Sequence, residues 1–108
     1  HSPLLDEAKV KVSDYLERLD FKDPVKPLYS NVTGKIVGSG SEARDLALRQ
    51  IVSSVLWVDE EKSILADGYD RILETGPGKI LSGLLKSVSS DITALPCGTV
   101  EQIEEAAS

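Results

Sequence analysis

His1 is the only histidine of the chain, and histidine is the side chain that most readily takes up and returns a proton near neutral pH. It stands just before a predicted helix, because Ser2 is a typical N-cap and Pro3 a typical first helical residue. A general base needs a nucleophile, and no serine here has the flanking glycines of a G-x-S-x-G nucleophile elbow. Cys97 has no basic neighbour in sequence that would favour its thiolate, so we predict an inert thiol. His1 is therefore either a base whose partners lie elsewhere or a solvated terminal residue.

Two glycine-rich segments resemble phosphate-binding loops. Residues 38–43 fit the dinucleotide pattern G-x-G-x-x-G/A, but only Ile36 and Val37 could form the strand that must precede it, so we predict that Gly38–Ser41 is a surface loop before a helix. The second segment, residues 76–79, reads Gly-Pro-Gly-Lys, and Leu73 occupies the place of the first glycine of a P-loop. We predict a sharp turn there, in which the glycines adopt unusual backbone angles and Pro77 fixes the bend.

Apolar spacing, caps and breaker residues predict alternating helices and strands. The predicted elements are helices at residues 4–19, 41–52, 58–67 and 80–88, a final helix opened by a capping box at 99–102, and strands at 28–33, 71–75 and 92–95. This order favours an α/β fold of three layers, α/β/α, with the three strands parallel in one sheet. Asn31 lies at the end of the first strand, where such folds place site residues, although turn chemistry explains it equally well.

Composition narrows the class of protein. The 108 residues include 18 acidic and 12 basic side chains, for a formal charge of −6, and 41% are apolar. An acidic chain without a basic stripe argues against nucleic acid and anionic membranes as partners, and no apolar run is long enough to span a bilayer. One cysteine allows no internal disulfide, which favours a reducing compartment: the cytoplasm, or a plastid or mitochondrial matrix.

Four blocks of sequence carry a resemblance to a known family. The blocks are His1–Leu5, Ser30–Gly34, Arg44–Gln50 followed by Val55–Trp57, and Glu74–Leu84. In order and spacing they resemble the C-terminal third of the malonyl-CoA:acyl carrier protein transacylases, the acyltransferases of fatty acid and polyketide synthesis. The opening H-S-P-L and the later E-x-G-P-G-K-x-L-x-G-L are the most specific parts.

The resemblance implies a ping-pong acyl transfer. In this family a serine attacks the malonyl thioester of coenzyme A, and the phosphopantetheine thiol of acyl carrier protein then attacks the acyl-serine. The resemblance implies that His1 is the general base in both steps, and that the main-chain carbonyl of Gln50 orients its imidazole. It implies malonyl-CoA and acyl carrier protein as partners, and no cofactor or metal. Selectivity between malonyl and methylmalonyl groups is not implied.

The resemblance also implies that residues 1–108 are one incomplete domain, the C-terminal segment of the large, hydrolase-like subdomain. The nucleophile would lie upstream in a longer enzyme or synthase, so the fragment alone is expected to be inactive and to expose surface that favours self-association. Glu61 departs from the family pattern, which usually has an apolar residue at this place. A non-catalytic α/β interaction domain, in which His1 is accidental, is the alternative.

Overall fold

The computed structural model describes residues 5–108, so the predicted base His1, the cap Ser2 and Pro3 lie outside the described residues. The described residues form five helices and four short strands in the order α1, β1, β2, α2, α3, β3, α4, β4, α5. Their bounds are α1 Asp6–Glu17, β1 Tyr29–Ser30, β2 Lys35–Ile36, α2 Gly40–Gln50, α3 Trp57–Ala66, β3 Arg71–Thr75, α4 Ile80–Val88, β4 Thr93–Cys97 and α5 Val100–Ala107. The chain divides into two compact units, residues 1–63 and 64–108.

The strand predicted at residues 28–33 is the main error. Only Tyr29–Ser30 is a strand, and it pairs with Lys35–Ile36 in an antiparallel hairpin, apart from the parallel sheet. Gly34 reverses the chain, with a φ of 67° that a residue with a side chain rarely adopts, and its amide donates to the Ser30 carbonyl at 2.8 Å. The sequence pattern identified an extended segment but not the chain reversal that ends it.

In the second unit, the predicted parallel pairing of residues 71–75 with the last strand is confirmed. β3 and β4 pair in parallel, from Arg71 opposite Thr93 to Thr75 opposite Cys97. Their crossover helix, α4, contacts both strands, and the core consists of Leu85, Ile92 and Ala94 with Leu65 and Ile72 packed against them.

Helices lie on both faces of this pair of strands. Successive strand residues point to opposite faces, and Ile72 packs on the α4 side, so Arg71 points to the other. The Arg71 guanidinium there donates to the Ala106 carbonyl of α5. The α/β class and the α/β/α layering are thus confirmed in this unit, with a sheet of two parallel strands among the described residues.

The turn between β3 and α4 is fixed by a carboxylate. Glu74 accepts hydrogen bonds from the amides of Leu81 (3.1 Å) and Ser82 (2.9 Å) and from the Ser82 hydroxyl (2.8 Å). The N-cap residue of α4, Lys79, makes no side-chain hydrogen bond to the helix. Glu74, near the end of the preceding strand, instead accepts hydrogen bonds from the backbone amides at the start of α4. These bonds lower the pKa of Glu74, because they favour its ionised form.

The amphipathic face predicted for α4 is only partly buried. Leu85 is 1% exposed, whereas Ile80 is 77% exposed, and Leu81 and Leu84 are also exposed. α1 likewise has no buried residue among those described. No helix of the described residues is long and apolar enough to cross a membrane.

A methyl group at Gly98 should destabilise the protein, because it would overlap the Gly76 carbonyl oxygen where the turn after β3 passes the end of β4. We expect Gly98→Ala to lower the free energy of unfolding by about 1–3 kcal/mol, as overpacking typically does. Gly83→Ala is the matched control: nothing lies within 4 Å of the added carbon, and alanine in place of a helical glycine should stabilise by about 0.5–1 kcal/mol. Urea unfolding of both variants measures the difference, and equal effects would contradict this packing.

Replacing Glu74 should remove stability that depends on pH. The lowered pKa means that the contribution of Glu74 is present above its ordinary value of 4.5 and is lost as the pH falls through its folded value. We expect Glu74→Gln to lower Tm at pH 7, and the difference from the wild type to shrink in acid. Ser82→Ala, which leaves both backbone bonds in place, should lower Tm less. A Tm difference independent of pH would show that the Glu74 charge has no part in capping α4.

Candidate functional site

Gln50, the described member of the predicted catalytic pair, is the last residue of α2 and is half-buried. The last carbonyls of a helix have no partner within the helix, and among the described residues the Gln50 carbonyl accepts a long bond of 3.4 Å from the Ser53 amide. A carbonyl oxygen can accept two hydrogen bonds, and the C-terminal end of a helix carries partial negative charge. This carbonyl can therefore accept a hydrogen bond from an imidazole N–H and favour the protonated ring.

α2 is held in place at its start. The Ser39 hydroxyl accepts from the Glu42 amide at 3.1 Å, and Asp23 Oδ1 accepts from the Gly40 amide at 2.8 Å. The Glu42 carboxylate in turn accepts from the Gly38 amide at 2.8 Å. Side chains of this chain thus occupy the amides that a pyrophosphate would need in the dinucleotide reading. The predicted surface loop, Gly38–Ser41, is shorter in the structure, because α2 already begins at Gly40.

The other glycine-rich segment has the predicted turn geometry. Gly76 and Gly78 have φ values of 103° and 90°, in the region that glycine adopts without strain. The amides of Leu81 and Ser82 beyond them are taken by Glu74. This segment forms the turn that joins β3 to α4.

A cavity beside Gln50 was not foreseen from the sequence. It has a volume of about 210 Å³ and lies between the segment containing β1 and one side of α2. It is lined by Leu28, Tyr29, Ser30, Asn31, Val37, Ala43, Leu46, Ala47 and Gln50. Small and apolar residues at positions 43, 46 and 47 of one helix face were the only signal for it, and that pattern is equally typical of a packed helix.

Asn31 forms part of this cavity, and its backbone is fixed there. Its carbonyl accepts from the Leu56 amide at 2.7 Å, just before α3 begins. Its side-chain amide makes no hydrogen bond to another residue of the described range 5–108. Asn31 was not among the site residues predicted from the sequence, because turn chemistry explained it equally well, and in the structure it lines the cavity.

On one face of α3, three residues have buried polar atoms without a hydrogen-bond partner among residues 5–108. They are Trp57, Glu60 and Glu61, spaced i, i+3 and i+4; the unpartnered atoms are Trp57 Nε1, Glu60 Oε2 and both Glu61 oxygens. Burial raises the pKa of Glu61, and burial together with the negative charge of Glu61 raises that of Glu60. Glu61 thus occupies an interior position, although its residue type is one normally found at the surface.

Cys97 is a free, half-buried thiol at the end of β4. Among residues 5–108, no three His, Cys, Asp or Glu side chains are grouped so that they could hold a metal ion.

No family model matches the chain. Comparison with known proteins nevertheless finds relatives that share one name. The malonyl CoA-acyl carrier protein transacylase of Bacillus subtilis is 31% identical over 104 residues, which are 96% of this chain and 33% of that protein. The protein of the same name in Escherichia coli is 33% identical over 94 residues, covering 87% of this chain and 30% of its own length.

Solved structures agree with these relatives. A malonyl-CoA:acyl carrier protein transacylase from Xanthomonas oryzae superposes with a TM-score of 0.89 and 28% identity, covering 98% of this chain and 34% of that one. An acyl-carrier-protein S-malonyltransferase from Burkholderia pseudomallei gives a TM-score of 0.89 and 30% identity with the same coverage. The resemblance to this family is confirmed over nearly the whole chain, which spans about one third of the length of its relatives.

Neutralising Glu61 should stabilise the protein at neutral pH. A raised pKa means that Glu61 stabilises the fold most when protonated, below its ordinary value of 4.5, and that this stability is lost as the pH rises through its folded value. We expect Glu61→Gln to raise Tm at pH 7, and the gain to vanish as the pH falls below 4.5. Glu104→Gln, at an exposed position of α5, is the control and should change Tm little. If Glu61→Gln lowered Tm at every pH, Glu61 would have to be ionised and paired.

Proposed function

Because the chain matches one third of the malonyl CoA-acyl carrier protein transacylases, we propose that it forms part of such an enzyme. The reaction moves a malonyl group from coenzyme A to the phosphopantetheine thiol of acyl carrier protein through an acyl-serine. The observation that carries this proposal within the chain is the position of the Gln50 carbonyl at the end of α2, where helix carbonyls have no partner within the helix. One solved relative is described as a malonyl-transacylase in complex with a type II polyketide synthase acyl-carrier protein, which supports this choice of partner.

His1 is the proposed general base. It takes the proton of the attacking serine, returns it to the departing thiol of coenzyme A, and then acts in the same way on the thiol of acyl carrier protein. An imidazole needs one nitrogen free to accept the proton and the other held as a donor. The Gln50 carbonyl supplies the acceptor for that second nitrogen, in place of the carboxylate that serves in a Ser-His-Asp triad.

The nucleophile and the oxyanion donors belong, in this proposal, to the part of the enzyme that precedes these residues, since the chain contains no G-x-S-x-G. Residues 1–108 form the C-terminal segment of the large subdomain. On its own this segment transfers no malonyl group, and its exposed apolar side chains favour self-association.

The remaining parts of the proposal rest on the family and on the composition of the chain. The reaction uses no cofactor or metal, and neither nucleic acid nor a membrane is a partner. The free thiol of Cys97 suits a reducing compartment, the cytoplasm or a plastid or mitochondrial matrix. Similarity over 96% of the chain to transacylases supports this proposal over a non-catalytic α/β interaction domain.

Substitutions of the proposed pair should have unequal effects in the full-length enzyme. We expect His1→Ala to slow formation of the malonyl-enzyme by about 10²–10⁴, the usual worth of a general base. Gln50→Ala should cost only a few-fold, because alanine keeps the main-chain carbonyl. Mass spectrometry of the enzyme quenched at intervals after mixing with malonyl-CoA measures both rates, and Tm confirms that each variant is folded. Equally severe losses would assign the role to the Gln50 side chain, and an unaffected His1→Ala enzyme would remove His1 from the mechanism.

A further inference from the structure

The two outer edges of the parallel pair β3–β4 differ in their chemistry. The Thr93 amide donates to the Asp70 carbonyl at 2.8 Å, and the backbone groups of successive strand residues point in alternate directions. The backbone groups of Ala94 and Pro96 therefore point away from β3, to the outer edge of β4. Because proline has no N–H, Pro96 removes a donor from that edge and blocks the addition of a further strand there.

The outer edge of β3 has no such protection. By the same alternation, the backbone groups of Arg71, Leu73 and Thr75 point away from β4. Within the described range 5–108, no residue forms a hydrogen bond with the amides or carbonyls of these three residues. All three are exposed, and Leu73 is 44% exposed although it is apolar. β3 thus offers an open strand edge five residues long, the kind of surface to which another strand is added.

The residue types along β3 are complementary to those of a second β3 strand. A two-fold axis at the middle residue makes two copies of β3 antiparallel. The facing residues are then Leu73 with Leu73, Arg71 with Thr75, and Ile72 with Glu74. The outward-facing residues of one strand meet those of the other, so each such pair exchanges both of its backbone hydrogen bonds. In this register no two like charges face each other.

Neighbouring registers are less favourable. Sliding one strand by two residues places Glu74 opposite Glu74 in one direction and Asp70 opposite Glu74 in the other. Like charges directly opposite each other destabilise a strand pair. A slide of one residue sets outward-facing backbone groups against inward-facing ones and loses the hydrogen bonds between the strands. Charge and hydrogen bonding therefore select the register centred on Leu73.

We propose that two copies of this chain associate through antiparallel pairing of their β3 edges, in the register centred on Leu73. The product is a four-stranded sheet in the order β4, β3, β3, β4, with Pro96 on both of its outer edges. Pairing brings the two Leu73 side chains together and removes apolar area from water. A two-stranded sheet is marginal, so a sheet of four strands is the more stable arrangement. The inference assigns a surface to the self-association included in the proposed function, and it does not depend on acyl transfer.

Sedimentation of the purified chain over a range of concentrations tests the association, and amide hydrogen exchange locates it. We expect a reversible equilibrium between monomer and dimer. The amides of Arg71, Leu73 and Thr75 should exchange more slowly at high concentration than at low concentration. The amides of Ile72 and Glu74, which face β4, should be protected at both concentrations.

A charge at the centre of the edge should separate the copies. Leu73→Lys places two ammonium groups opposite each other and should weaken the dimer by about tenfold. Ile80→Lys is the matched control, because Ile80 is an exposed apolar residue of α4 that lies outside β3, and it should leave the dissociation constant unchanged. A Tm near that of the wild type confirms that each variant is folded.

Charged variants of Thr75 test the register itself. Thr75 is exposed and lies on the same face of β3 as Arg71. Thr75→Glu brings a carboxylate opposite Arg71 of the second copy, twice in each dimer, and should tighten the dimer by about tenfold. Thr75→Lys brings like charges together at the same two places and should weaken it by a similar factor. Effects of the same sign from both variants would overturn this register.

Three other results overturn the pairing. A chain that stays monomeric up to about 1 mM leaves the edge to another occupant, such as a strand of a longer enzyme. A dimer that is lost in Ile80→Lys and retained in Leu73→Lys places the interface on α4. Exchange of the Leu73 amide that does not depend on concentration excludes β3 from the interface. None of these results involves His1 or Gln50, so the proposed transacylase function is tested separately, by acyl transfer in the His1→Ala enzyme.

Discussion

A carboxylate at the start of a helix recurs in both units of this protein. Glu74, on β3, binds two amides of the first turn of α4, and Asp23 binds the Gly40 amide at the first residue of α2. The amides at a helix start have no partner within the helix and carry partial positive charge, so a carboxylate there supplies both an acceptor and a counter-charge. In each case the carboxylate comes from outside the helix, so the interaction fixes the helix to the segment before it as well as capping it.

This anchoring determines where the candidate site lies. α2 is a rod of eleven residues, so fixing its start at Ser39 and Gly40 also fixes the position of its last residue, Gln50. The same helix supplies one wall of the cavity, and the hairpin segment supplies the other. The Gln50 carbonyl and one wall of the cavity are therefore placed by one rigid element.

Two side chains have a burial opposite to that usual for their residue types. Glu61 is fully buried, and neither of its carboxylate oxygens has a hydrogen-bond partner in the described part of the chain, whereas Ile80 on α4 is largely exposed. The energetic consequences differ. Burying Glu61 favours its protonated form and sets a dependence of stability on pH, while exposing Ile80 leaves apolar area in water that association with further protein would remove.

The sequence by itself determined the features that depend on residues within a few positions of one another. Three such features were predicted from the sequence, and the structure contains each of them. They are the capping box of Thr99 and Gln102, the glycine at position 68 just after α3, and the helical spacing of α4. Hydrogen bonds and side-chain spacing within one turn depend only on local residue types, which explains this success. The family resemblance could be recognised from the sequence for the same reason, because it rests on blocks of adjacent residues.

Tertiary structure alone decided which segments meet. The extended segment around Tyr29 pairs with Lys35–Ile36 and not with β3, because strand pairing depends on the path of the chain beyond the strand. The cavity beside Gln50 and the burial of Glu61 likewise arise from residues distant in sequence, and no local pattern encodes them. Gln50 was found by resemblance, but its place beside Asn31 in the lining of one cavity depends on long-range contacts that residue types alone do not specify.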